Sequence, residues 1–331
     1  MVNNSSQITE RNYIYSLKGL AIISIVSAHC ATVFRDTNQL NVQFSWILEQ
    51  IGSVGVGIFF IISGYLFYRN KYTIKTYFKR KVNTILIPWI VTGTVVYLYI
   101  VLRKGGIEFG GWVDFILGNG SYLYYLTLLV FFYLLFFYTS KNNAFVISTI
   151  AVSCLSILIT ATGFIDGINN FLNPLNFIGY FSVGLIIASN NSLMKLGYRC
   201  SKYKFFLLFM YVALLIFIKL FDITSGYWGY ATLILQPIAI SLVFGLATMK
   251  FMNTKVFLNI GLESFSIYLL HMPVAGLVTS IFNRYDLWAL TLARPLIIVG
   301  ITLSCIFLYK YIGSKFKVDT YSNLIIGTRL V

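Results

Sequence analysis

The stretch YIYSLKGLAIISIVSAHCATVFRD, from Tyr13 to Asp36, decides the fold. Its run from Leu20 to Phe34 is apolar or small enough to lie in a bilayer, yet Lys18 stands near its start and His29 near its end. A cation and an imidazole inside a membrane span are costly, and such residues mark a pathway or a reacting site. Eleven helical steps of about 100° bring His29 back to within roughly 20° of Lys18, about 16 Å further along the axis. One face of this helix therefore shows a cation toward one end and a base toward the other.

The rest of the chain agrees with a membrane setting. Of 331 residues, 58% are hydrophobic and 11% charged, with a mean hydropathy of +0.80, too little polar surface for a soluble protein of this length. The formal charge of +15 is that of a nucleic-acid binder, but the basic residues cluster in short loops between apolar runs, which excludes that partner in favour of membrane lipid. Cys30, Cys154, Cys200 and Cys305 are scattered, mostly in apolar runs, and read as small apolar side chains; no spacing suggests a metal site or a disulfide. The N-terminal run is long, is interrupted by Lys18 and precedes no small-residue cleavage site, so a cleaved signal is not expected.

Hydropathy predicts an all-α polytopic protein of ten spans, roughly 13–34, 46–68, 82–102, 121–139, 144–162, 174–189, 205–221, 228–248, 257–282 and 288–311, in one domain over 1–331. The segment 69–81 carries Arg69, Lys71, Lys75, Lys79, Arg80 and Lys81; the segment 190–204 carries Lys195, Arg199, Lys202 and Lys204. Lys250 and Lys255 follow the eighth span, and Lys315, Lys317 and Arg329 lie in the tail. Ten spans put all of these on the side of the N-terminus, so both termini are expected in the cytoplasm. Asp36, Glu49, Glu108, Asp114, Asp166, Asp222 and Asp286 fall on the other side. No internal repeat of the transporter kind is visible.

The two histidines, His29 and His271, both lie in apolar segments. Histidine exchanges a proton near neutral pH, as a base for a hydroxyl must; its other use in a span is to bond a neighbouring helix. In GSVGVGIFFIISGYLF, Gly52 to Phe67, the glycines permit close approach of a helix or a ligand, and Ser63 adds a hydroxyl beside Gly64. Lys79, Arg80 and Lys81 stand at the membrane surface, where they suit either the phosphates of a nucleotide-like donor or anionic headgroups. The aromatic run beginning Ser121, Tyr122, Leu123, Tyr124 fits packing and interface anchoring. Glu263, in a position to snorkel, shares the ninth span with Ser264, Ser266 and His271, while Arg294 precedes Pro295 in the last span as a buried partner or an interface anchor.

These residues together resemble the acyltransferase type 3 family of integral membrane acyltransferases. The resemblance rests on Lys18 and His29, on Phe59, Phe60, Ser63 and Gly64, on Arg80, Lys81 and Pro88, on Tyr124, Tyr125 and Leu126, and on Ser264, Tyr268, Leu269, His271 and Pro273, in the family's order. It implies ten spans, an acyl-CoA donor approached from the cytoplasm, an acceptor hydroxyl on an envelope sugar, and a standalone form without a hydrolase-like domain. It also implies His29 as the catalytic histidine and a need for the Lys18 position. Ser63, Gly64, Lys79, Arg80, Lys81, Tyr124, Glu263, His271 and Arg294 are the residues expected to bind donor or acceptor. The family's usual arginine is Lys18 here, its acid three residues earlier is Tyr15, and a basic residue near the proline is Thr84. The orienting partner of the base is thus left open. The expected protein is an inner-membrane O-acetyltransferase that uses acetyl-CoA as donor substrate, binds no cofactor or metal, and modifies O-antigen, capsule or a related lipid-linked glycan. A transporter or flippase for a glycolipid is the alternative.

Overall fold

The computed structural model describes residues 9–31, 39–70, 73–104, 108–164, 169–190, 192–282, 285, 287–316 and 325–327. Expectations for Asp36, Lys71, Asp166, Asp286, Lys317, Arg329 and residues 32–34 lie outside these. The described residues are helical, without strands. The helices are α1 (Glu10–Ala31), α2 (Gln39–Tyr68), α3 (Ile74–Lys81), α4 (Ile87–Lys104), α5 (Phe109–Leu117), α6 (Tyr124–Thr139) and α7 (Asn143–Ala161). They continue as α8 (Leu175–Asn190), α9 (Leu193–Lys202), α10 (Lys204–Leu220), α11 (Thr232–Leu246), α12 (Lys255–Leu262), α13 (Ser264–Phe282) and α14 (Trp288–Lys315).

A helix occupies each of the ten stretches expected to span. Among the described residues six helices have the length and apolarity to cross a membrane: Glu10–Ala31, Gln39–Tyr68, Lys75–Leu102, Asn143–Ala161, Ser264–Phe282 and Trp288–Lys315. Helices α6 and α11 are apolar but shorter, and α8 reaches that length only when joined with α9. A bilayer core asks for about 20 residues of helix, and these fall below it.

Four local outcomes differ from the sequence expectation. The basic segment 69–81 is not a plain loop: residues 74–81 are helical and run through a π-helical turn, Val82–Leu86, into α4. Pro88 explains the slip. It has no N–H for the Thr84 carbonyl, and the ladder shifts so that Ile87 N–H reaches Val82 O. The segment 190–204 likewise contains α9. The ninth span breaks at Glu263 into α12 and α13. An extra helix, α5, is stopped by Gly118, whose φ of 90° lets its N–H close on Asp114 O and Phe115 O.

Helix α2 is the central post, and its glycines decide how closely its neighbours approach. A methyl at Gly55 would lie 2.5 Å from Ala21 O of α1, and one at Gly64 would strike Phe181 O of α8. Gly184 of α8 returns the favour against Ile61 O. In lipid, where burial of apolar surface drives little, such close backbone contact is what holds helices together.

Hydrogen bonds sort the chain into two ends. At one, Arg69 pairs with Glu10 at 3.1 Å, Ser192 donates to Glu10 at 3.1 Å, and Tyr13 and Ser16 donate to Phe244 O and Met252 O. The basic segments 69–81, 193–204 and 250–255 therefore meet where α1 begins. At the other end Tyr227 donates to Gly52 O at 3.3 Å, Lys219 lies 5.4 Å from the Trp46 ring centre, and Phe44 stacks on Trp288.

Candidate active site

Helix α1 is continuous from Glu10 to Ala31, so Lys18 and His29 share a face as the spacing requires. Both are half-buried. The same face carries Arg11, Tyr15, Ile22 and Ile25, successive positions three or four residues apart that form one stripe. At its basic end the stripe borders an open groove of about 390 Å³, lined by Arg11, Asn12, Tyr15, Asn253, Lys255 and Asn259 among others. Arg11 Nε donates to Tyr15 Oη at 3.0 Å. At its far end stands His29.

His29 meets the second histidine. The rings of His29 and His271 lie 5.1 Å apart, tilted by 45°. His271 is 0% exposed, and its Nδ1 is 2.7 Å from Tyr268 O one turn earlier on α13. The Tyr122 ring meets it edge-on at 5.2 Å. Tyr122 Oη donates to Leu269 O at 2.7 Å, and Tyr268 Oη donates to Tyr122 O, so the turn before α6 is tied to α13 around the imidazole. From Tyr268 a row of aromatics continues through Tyr125, 5.6 Å away, whose hydroxyl is 3.2 Å from Ser63 Oγ. The hydroxyl beside Gly64 thus reaches the histidine through two tyrosines, while Gly64 itself backs onto α8.

Arg294 is 0% exposed, which settles its choice between anchor and buried partner. It lies within electrostatic reach of Cys30, the neighbour of His29, and 5.9 Å from the Phe282 ring centre. Cys30, read as a small apolar side chain, is therefore a neighbour of charge. Glu263 does not snorkel. It is 3% exposed and accepts from Lys310 Nζ at 2.6 Å. Tyr124 is buried against Phe171 and Phe177, at 5.0 and 5.8 Å, in a separate aromatic group.

The basic cluster divides. Lys79 and Arg80 are exposed, whereas Lys81 donates to Tyr133 Oη at 3.0 Å and sits 4.5 Å over that ring. All three belong to the basic end and not to the histidines. The sequence reading missed Arg11 and Lys310, and took Lys255 only as a marker of topology and Tyr122 only as packing. Arg11 had a signal, its position seven residues before Lys18 on the same face; Lys310 had none beyond being a cation late in a span. Among the described residues no cluster of His, Cys, Asp and Glu is suited to a metal.

Two neighbouring imidazoles and a buried guanidinium thus stand toward one end of α1, joined by a helix stripe to a basic groove at the other. The family model described as an acyltransferase domain matches residues 11–310, and the chain belongs to the acyltransferase type 3 family. No curated protein matches the chain, and no solved structure does. The class is a membrane acyltransferase of multi-pass form.

Proposed function

We propose that this acyltransferase carries an acetyl group from acetyl-CoA, taken on the cytoplasmic side of the inner membrane, to a sugar hydroxyl of an envelope polysaccharide or its lipid-linked precursor. The observation that carries the reading is the α1 stripe from the groove at Arg11 through Lys18 to His29. It runs about 27 Å along the helix, enough for an extended thioester arm whose phosphates stay at the basic end. Arg11, Lys255, Lys79 and Arg80 offer charge-assisted hydrogen bonds to those phosphates, and Lys18 meets the arm on its way in.

At the far end His29 takes the proton of the attacking hydroxyl. The oxygen bonds to the acetyl carbon, the carbon–sulfur bond breaks, and the proton passes from His29 to the departing thiolate. Arg294, buried beside Cys30, places positive charge where the carbonyl oxygen becomes negative. A two-stage version, with the acetyl group first on His29, uses the same residues.

The test is purified protein with acetyl-CoA. Thiol release, together with radiolabelled acetyl appearing on the host's lipid-linked glycan fraction, is expected. Glycolipid movement across vesicles without acetyl-CoA consumption would replace this reading with a transporter.

A further inference from the structure

Helix α9 takes no part in the site described above. Its sequence, LMKLGYRCSK, is two-sided. Leu193 and Gly197 are buried, and a methyl on Gly197 would strike the Tyr13 hydroxyl of α1. On the opposite face Lys195, Arg199 and Lys202, four and three residues apart, form an exposed basic stripe. Helices α8 and α9 meet at a bend of 100°, so with α8 directed into the membrane α9 lies along its surface.

The bend holds a notch of about 140 Å³. Ile186 and Ile187 of α8 and Leu196 of α9 give it aliphatic walls, and Asn190 and Arg199 add polar groups. The Arg199 side chain is exposed and has no ion pair or hydrogen bond among the described residues. Glu10, which accepts from Ser192 just before α9, is already paired with Arg69.

Sites that enclose a small molecule hold about 300–1,000 Å³. A notch of about half the lower figure takes only part of a molecule, and at a membrane surface the remainder can lie in the bilayer. Aliphatic walls beside a guanidinium suit a molecule with hydrocarbon at one end and an anion at the other. Ile187 and Asn190 are three residues apart, about 4.5 Å of helix rise. The polar margin of a leaflet is itself about 5–8 Å deep, so this step from apolar to polar matches the step from acyl chain to headgroup.

We infer that the α8–α9 notch is a binding site for an anionic glycerophospholipid of the surrounding bilayer, with Arg199 on the phosphate and Ile186, Ile187 and Leu196 on the chain. The forked guanidinium pairs with two phosphate oxygens at once, and Lys195 and Lys202 add charge along the same helix. The inference makes no use of the acyl-transfer reading and holds for either leaflet. Helix α9 is tied to the start of α1 through Ser192 and Glu10 at 3.1 Å, and to the end of α11 through Thr248 and Ser201 at 3.0 Å. An occupied notch therefore braces the end of α1 at which the basic groove opens.

The test is native mass spectrometry of delipidated, detergent-purified protein titrated with phosphatidylglycerol or phosphatidylcholine. The unaltered protein is expected to prefer phosphatidylglycerol. Arg199→Gln should bind it about 5-fold more weakly, the share of one basic residue at an anionic surface. Arg199→Lys, which keeps the charge and loses the fork, should fall between them. Arg199 is exposed, so these variants leave the packing intact. Lys75→Gln, which removes an exposed charge from α3, should bind as the unaltered protein does. Ile187→Phe fills the notch at constant charge and should also weaken binding; unchanged binding there would overturn the notch as the site. Equal affinity for the two lipids, or equal losses in Arg199→Gln and Lys75→Gln, would reduce the effect to general surface charge and overturn the proposal. Release of the bound lipid by inorganic phosphate would make this a free-anion site, and preference for an isoprenyl phosphate would make it a site for a lipid carrier; either result overturns the assignment.

Discussion

Lys310→Met isolates one buried charge. Glu263, at the break between α12 and α13, is 3% exposed, and Lys310 Nζ at 2.6 Å is its ion-pair partner; Lys310 is 26% exposed. Glu263 Oε2 has no hydrogen-bond partner among the described residues, so the carboxylate depends on that one ammonium. Removing one member of a buried pair costs about 3–5 kcal/mol, because the other charge stays buried and uncompensated. Lys310 is partly open to water or headgroups, so screening places this pair at the lower end, about 3 kcal/mol. At about 2–4 °C per kcal/mol the melting midpoint should fall by roughly 6–12 °C. Thermal unfolding of detergent-purified protein, followed by tryptophan fluorescence, reads this directly. The double variant Glu263→Gln with Lys310→Met removes both charges and should recover most of the loss, since a neutral replacement of a buried pair is often tolerated. A Lys310→Met protein that melts with the unaltered one, or a double variant no better than the single, would refute a charge-dependent break.

Lys18→Arg should keep much of the activity and Lys18→Met lose most of it; a fully active Met variant at normal abundance would show that the charge is not used. His29→Ala should cost about 10²–10⁴-fold in transfer while acetyl-CoA binding, measured by equilibrium dialysis, persists. Gly64→Ala should drive α2 and α8 apart, at a cost of about 1–3 kcal/mol, and reduce folded yield on size exclusion. Were it instead to fold normally and lose only acetyl-CoA binding, Gly64 would belong to the donor site. In intact cells, and in protein freed of its native cysteines, Lys75→Cys and Lys195→Cys should resist an impermeant thiol reagent that labels Ser225→Cys; labelling from outside at Lys75 would invert the proposed orientation.

The helices were legible because apolar runs in a membrane have few other options: backbone groups must bond within the segment. Their lengths were less so. The eighth expected span shrinks to Thr232–Leu246 because its first residues spend their hydrogen bonds in a turn, with Thr232 Oγ1 donating to Gly226 O. The segment 69–81 looked like a loop because charge outweighs helical period in so short a window. Yet Tyr77 and Phe78 pack on Phe67 and Phe137, and that packing makes a helix of it. The break at Glu263 had one local signal, Gly261 two residues before, whose backbone packs against Tyr15 of α1.

For the site, the same limit acts with more force. A single helix shows its own face, so the stripe that joins Lys18 to His29 follows from spacing alone. Which residue faces that stripe from another helix is set by packing over the whole chain. His271, 0% exposed, is deeper than His29. No periodicity reveals that its Nδ1 is spent on Tyr268 O while Nε2 is kept in reserve. The sequence ranks the two histidines by their neighbours along the helix, and on that measure only His29 has a nearby cation. The structure ranks them by exposure. His29 is half-buried at the end of the stripe and so can meet a substrate, whereas His271 can be met only through the groups packed around it, His29 among them. What separates the two histidines in the structure is therefore access.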